Sequence, residues 1–350
     1  MMKNVFYAFV QILMRISVRI FFNKLEIIGM DRIPKNKPCI FSPNHQNAFL
    51  DALIIGGLAP IKISYLTRSD VFDTPFRWFL DALQMIPIYR MRDGYEKLSM
   101  NDAIFQTCRD EMKQDRSILI FSEGNHGNEF PLRPLSRGSS RLALESQEQL
   151  TDKDLYFVPV GLNYYHHQRP GHKFSLVVGE PLKIKDYLNE YEKHKARGIN
   201  HLKKDLSKNM QDCLIYAEED EHYTERKELI NRKNEHYDFY EMKERLKSGE
   251  GLKKPGKYRK SLIFLADLIS VVNFGPLLLI WKSLRPIKDI VFKCSLKYAI
   301  GIFGFPIWWL LLFIISSVIW NWQIGLMTIF FGIITLLLRI HLIRMANPPH

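Results

Sequence analysis

From Tyr298 to Leu338 the chain runs 41 residues without a charge. A helix crosses a bilayer with about 20 apolar residues, so this stretch suffices for two passes. The triplet Asn321-Trp322-Gln323 divides it and reads as the turn of a hairpin over 298–340. A buried helix pair of a soluble protein is the alternative, and the length without a charge argues against it. Lys297 flanks one end, Arg339 and Arg344 the other. Basic flanks favour the cytoplasmic side, so both ends, and the domain before them, are expected on that face. The rest of the chain must then fold beside a membrane.

A second apolar segment, 261–281, is long enough to span but carries Asp267, Asn273 and Gly275-Pro276. A carboxylate at the bilayer centre costs roughly 3 kcal/mol on insertion scales. Lysines and arginines lie on both sides of the segment, and a single pass would separate them. An interfacial or re-entrant helix within a basic linker, 250–297, is the expectation. At the other end, Arg15 and Arg19 interrupt what would be the apolar core of a cleavable signal. Asn4, Tyr7, Gln11, Arg15 and Arg19 recur at three- or four-residue spacing, with Phe6, Phe9, Leu13, Ile16 and Ile20 elsewhere around the helix. Residues 1–24 thus read as an amphipathic helix in the membrane interface, ahead of one docked on the protein's own core.

Between these membrane-directed ends, short apolar runs recur at 38–41, 61–66, 85–89, 118–121, 155–160 and 174–178. Helical stretches at 51–58, 75–83, 95–113 and 138–145 separate the first five. Strands alternating with helices predict an α/β domain, 25–182, with a mostly parallel central sheet flanked by helices. The short polar segment 166–173 allows the last two runs to be antiparallel. Residues 183–249 are densely charged and predict a helical extension packed on the domain.

The net charge of +12 admits nucleic acid, anionic lipid or acidic small molecules as partners. Beside a membrane span, lipid headgroups explain it better than nucleic acid. Cys39, Cys108, Cys213 and Cys294 are widely spaced and form no CxxC, as expected in a reducing compartment. No metal-ligand spacing, P-loop or Gly-x-Gly-x-x-Gly occurs, so no metal or cofactor is expected.

The chemistry concentrates where strands end. Ligands of open parallel sheets bind beyond the carboxyl ends of the strands. There the chain places His45 after the first run, Arg90 after the third, and Glu123-Gly124 after the fourth. His45 is followed six positions later by Asp51. A histidine titrates near neutral pH, and a carboxylate can hold its tautomer. No Gly-x-Ser-x-Gly elbow supplies a serine for it to activate. The histidine is therefore expected to act on a substrate hydroxyl directly.

Asn44-His45…Asp51, Ile86-Pro87-Ile88-Tyr89-Arg90, Phe121-Ser122-Glu123-Gly124-Asn125-His126 and Val158-Pro159-Val160-Gly161 stand in that order. Together they resemble the four blocks of the glycerolipid acyltransferases, which use glycerol 3-phosphate or lysophosphatidate. The resemblance covers about 36–182. It implies transfer of an acyl group from a thioester, on coenzyme A or acyl carrier protein, to a glycerolipid hydroxyl in a membrane. It implies His45 as general base and Asp51 as its orienting partner. Asn44 would line the site. Arg90 and the Glu123-Gly124 turn would hold the acceptor and its phosphate. Arg133 and Arg137 are further candidates for phosphate, and Pro159 would shape a pocket. No cofactor beyond the acyl thioester is implied.

The sequence departs from the family pattern in four places. Five residues rather than four separate His45 from Asp51, which puts His45 on a loop and Asp51 inside the helix that follows. Ser122 stands where proline is common, and Asn125-His126 where threonine-arginine is. Gln84 stands where glycine is frequent. An amino-acid lyso-lipid as acceptor, or an inactive lipid-binding relative, are the alternatives these departures motivate.

Overall fold

The computed structural model of the chain describes residues 2–72, 77–89, 101–216, 219–284 and 286–348. All six apolar runs are strands: β2 (Cys39–Pro43), β3 (Ile63–Arg68), β4 (Met85–Ile88), β5 (Ser117–Leu119), β6 (Tyr156–Tyr164) and β7 (Lys173–Val178). Two strands were not anticipated, β1 (Lys24–Ile28) and β8 (Leu182–Lys183). The sheet order is β1-β7-β6-β2-β5-β3-β4, with β8 on β6. From β6 through β4 every neighbouring pair is parallel, and β7 and β8 pair with β6 antiparallel. The α/β class with a mostly parallel sheet is therefore observed.

Side-chain alternation along the strands sorts residues into two cores. Phe41, Leu119 and Val158 face one layer, with Leu53 and Ile54 of α2 (Phe49–Leu58) and Val10, Met14 and Val18 of α1 (Met2–Phe21). Their neighbours Ile40, Ile118 and Phe157 face the other. That second layer comprises α4 (Asn101–Lys113), α5 (Arg137–Gln149) and α7 (Lys195–Asp212). Burial on both faces is the usual condition of a parallel sheet and explains why these runs are continuously apolar. The expected helix at 75–83 appears as α3 (Arg77–Ala82). Residues 75–76 and 95–100 of the expected helices lie outside the described residues.

α1 docks on the core through Val10, Met14 and Val18, the arrangement ranked second from the sequence, and Gln11 and Arg15 of its polar stripe reach α2, although Arg15 and Arg19 stay exposed. Gln11 Nε2 donates to Gly56 O at 3.2 Å, and Arg15 Nε to Gly57 O at 3.0 Å. These side chains satisfy carbonyls at the C-terminal end of α2, which have no partner within that helix. A Cβ on Gly57 would meet Met14 Cβ at 2.9 Å, so the glycine permits this close crossing. The outward face of α1 is still apolar: Val5, Phe9, Ile12, Ile16 and Ile20 are exposed.

The charged extension folds as α6 (Leu188–Lys193), α7, α8 (Tyr223–Leu229) and α9 (Phe239–Ser248), with Leu202, Leu206 and Met210 of α7 buried against the sheet. Beyond it lie α10 (Lys260–Ser283), α11 (Ile290–Ile319) and α12 (Trp322–Ala346). The last two are long and apolar enough to cross a membrane. They form a hairpin whose turn falls at Trp320-Asn321, and the Asn321 side chain accepts from Ile324 N to start α12. α10 bends by 106° between Lys260–Val271 and Asn273–Ser283, with Pro276 just beyond the bend. Its polar residues are partnered: Asn273 Nδ2 donates to Gly332 O at 2.7 Å, and Asp267 lies 3.9 Å from Arg339.

The hairpin is joined to the domain at its base. Tyr298 OH pairs with Ser17 Oγ at 2.9 Å, and Arg232 donates to Arg344 O at 3.0 Å. Ser295 Oγ donates to Asn47 O at 2.5 Å and accepts from Leu50 N at 3.3 Å. α11 thus braces the loop that carries His45.

Candidate active site

β2 ends at Pro43 in the middle of the sheet, and the chain leaves it through Asn44 to Ala48 before α2 begins. This loop solves the six-residue spacing. His45 stays outside the helix and Asp51 sits in its first turn, with His45 Nδ1 2.9 Å from Asp51 Oδ2. The backbone at Ala48, φ 45° and ψ −124°, turns the chain between them. A non-glycine residue there is strained, and such strain gathers at functional sites.

Asp51 is fully buried and saturated. Oδ2 also accepts from Asn47 N at 2.8 Å, and Oδ1 from Tyr164 OH at 2.5 Å. These donors stabilise the carboxylate without a cation. The His45 ring stacks on Phe121, with centroids 3.7 Å apart. Burial holds its pKa below the usual value, against the pull of Asp51 in the other direction. With Nδ1 given to Asp51, Nε2 is the nitrogen left to accept a proton at neutral pH.

The turn after β5 closes onto the same loop. Glu123 Oε1 accepts from His45 N at 2.8 Å, and Oε2 from Arg133 Nε at 2.6 Å. Gly127 N donates to His45 O at 3.0 Å. Burial pushes Glu123 up to about 7 even with Arg133 beside it. Gly124 has φ 72°, a left-handed turn that glycine adopts at no steric cost. Ser122 pairs with Ser42 at 2.7 Å, both buried, so this departure from the family pattern has a partner in β2.

An open cleft of about 530 Å³ lies against the β5 turn that bonds His45 through Gly127. Arg68 at the end of β3, Asn125 and His126 from the β5 turn, and Asp289 and Ile290 at the start of α11 line it. The His126 ring stands 5.5 Å from that of His45, and its Nε2 is 2.7 Å from Asp289 Oδ2. The turn after β5, the end of β3 and the start of α11 therefore meet at one opening.

The remaining candidates divide. Asn44 braces the loop instead of lining a site. Its Nδ2 donates to Leu162 O at 3.1 Å, and its Oδ1 accepts from Leu162 N at 2.7 Å. Pro159 is buried mid-sheet opposite Ser42. It falls between the stretches of β6 that pair with β8 and with β7, where no ladder hydrogen bond needs its missing N–H. In the sheet it also accepts a hydrogen bond from Gly179 N at 2.9 Å. Arg133 serves Glu123, and Arg137 is exposed at the start of α5. Arg90 lies outside the described residues.

Sequence reading missed Tyr164, Arg68, Asp289 and Ser295. Arg68 was within reach of the strand-end rule, since it closes β3. The other three contact the site across 113 or more residues of chain, and no local pattern announces such contacts.

Residues 24–163 match the family model described as Acyltransferase. A Schizosaccharomyces pombe protein described as an uncharacterized acyltransferase is 30% identical over 95 residues, 27% of this chain. That match spans only 14% of the relative's length. Among solved structures, the 1-acyl-sn-glycerophosphate acyltransferase PlsC from Thermotoga maritima superposes with a TM-score of 0.39 at 17% identity. The superposition covers 57% of this chain and 81% of that one.

Proposed function

We propose, on the match of residues 24–163 to the acyltransferase family model, that the chain is a membrane-bound O-acyltransferase of glycerolipids. It moves a fatty acyl group from a thioester, on coenzyme A or acyl carrier protein, to a lysophosphatidate-like or glycerol 3-phosphate hydroxyl. The observation that carries this reading is the 2.9 Å contact of His45 with Asp51, a carboxylate held by Tyr164 and by the Asn47 backbone.

In this reading His45 Nε2 takes the proton of the acceptor hydroxyl as its oxygen attacks the thioester carbonyl. The C–O bond forms, the tetrahedral adduct collapses, the C–S bond breaks, and the departing thiolate receives the proton from His45. Removing the proton in flight is worth about 10²–10⁴-fold. Holding donor and acceptor together supplies much of the remainder. No cofactor takes part.

Arg68, paired with Asp70, and His126, paired with Asp289, line the cleft, where an acceptor phosphate would lie in place of those carboxylates. The hairpin α11–α12, with the apolar face of α1 beside it, holds this cleft at the membrane surface, on the cytoplasmic side. The purified full chain with one labelled acyl thioester tests the reading against a panel of acceptors. Transfer to lysophosphatidate or glycerol 3-phosphate is expected. Transfer only to lyso-lipids without a phosphate monoester would move the chain to the amino-acid lipid alternative. Absence of transfer to any hydroxyl lipid would reduce it to a lipid-binding protein.

A further inference from the structure

The base of the membrane hairpin holds a cluster of cations that the catalytic reading does not use. Arg169 lies in the loop after β6; Lys293 and Lys297 lie four residues apart on α11. All three are half-buried. Apart from the neighbouring Cys294 thiol, the charges acting most strongly on Lys297 are those of Lys293, Arg169 and Arg339. The loop that carries Arg169 packs on α12 at Gly171, where a Cβ would meet Ile340 O at 3.0 Å. Arg339 is answered by Asp267 and Ser270 on α10. Among the described residues, the side chains of Arg169, Lys293 and Lys297 make no hydrogen bond or ion pair. The nearby carboxylate of Glu235 is already engaged by His172 and Arg344.

Like charges four apart on a helix repel, and partial burial deepens the cost because water screens them less. A fold that gathers three unanswered cations is stabilised when an anion joins them. Their position says which anion. Lys297 is the last charge before the uncharged run that begins at Tyr298. It therefore stands at the level where lipid phosphates lie beside a spanning helix.

We propose that Arg169, Lys293 and Lys297 form a binding site for the phosphate of an anionic membrane phospholipid, separate from the catalytic cleft. Ser295 shows what such a lipid would do. It lies midway between the two lysines, on the opposite side of α11, where it holds Asn47 and Leu50 of the catalytic loop. A lipid seated on one face of α11 thus fixes the helix whose other face positions His45. The inference rests on the membrane-spanning reading of the hairpin and not on acyl transfer.

The test uses the full chain purified in detergent, offered equal amounts of phosphatidylglycerol and phosphatidylcholine and read by native mass spectrometry. The wild type is expected to retain phosphatidylglycerol about tenfold or more over phosphatidylcholine. The Arg169→Gln/Lys293→Gln/Lys297→Gln variant should fall to near parity, and Arg169→Lys/Lys293→Arg/Lys297→Arg should keep the preference. Equal retention of the two lipids by the wild type, a reading that needs no variant, overturns the proposal. So does a preference that survives the glutamine variant, or displacement of the lipid by inorganic phosphate alone, which would assign the cluster to free phosphate. A chain that purifies without detergent would instead overturn the membrane-spanning reading itself.

Discussion

The proton chemistry turns on how one imidazole is held. His45 is mostly buried, its side chain 14% exposed, and that burial keeps its pKa below the ordinary histidine value although Asp51 favours the charged form. A general base works when neutral, so kcat/KM should rise with pH through that lowered pKa and then level off. Tyr164 draws charge from Asp51 by donating to Oδ1. In Tyr164→Phe the carboxylate is less satisfied and favours the imidazolium more, so the rise should move to higher pH. A pH–rate profile that stays in place, or moves to lower pH, would contradict this arrangement. A second residue tests the fold. Gln84 has φ 60°, where side chains are strained, and its buried Oε1 has no partner. The left-handed region costs a non-glycine residue about 1–2 kcal/mol, and glycine returns about 0.5–1 kcal/mol of that in chain entropy. Gln84→Gly should therefore leave activity unchanged and raise stability by about 0.5–1 kcal/mol, read as a higher Tm.

At the scale of elements, strands were legible and their company was not. Runs such as 118–121 are buried on both faces and announce themselves by continuous apolarity. β1 escaped because Lys24-Leu25-Glu26-Ile27-Ile28 is a half-exposed edge strand beside β7. The His45–Asp51 pairing could be anticipated because both residues belong to one loop-helix unit. Tyr164 and Ser295 could not, because β6 and α11 reach the loop through the tertiary fold. The polar stripe of α1 was legible, but its bonds from Gln11 and Arg15 to the end of α2 were not, since periodicity locates a stripe without saying what it meets. The brace between α11 and the catalytic loop can be tested directly. Ser295→Ala removes the hydroxyl that links α11 to Asn47 O and Leu50 N, which still bond each other at 3.0 Å, at a cost of about 0.5–1.5 kcal/mol. Lower Tm and reduced kcat/KM are expected, with membrane association intact; wild-type turnover would show that α11 anchors without bracing.

The whole molecule is a parallel-sheet domain fastened to an apolar hairpin at the edge where its strands end. Both ends of the hairpin return to the domain through Ser295, Tyr298 and Arg344. Exposed apolar side chains cover its length, Val318 at 80% and Phe330 at 69% among them. With the outward face of α1, these surfaces would hold the cleft where a lipid hydroxyl arrives from the bilayer and a thioester from water. In the proposed reaction no serine nucleophile is needed, because the acceptor would bring its own oxygen. The decisive measurement is acyl transfer from a labelled acyl thioester to lysophosphatidate by the purified full chain and by its His45→Ala variant. The account predicts a loss of at least about 10²-fold in kcat in a variant that stays folded and membrane-bound; turnover within a few-fold of wild type would contradict it.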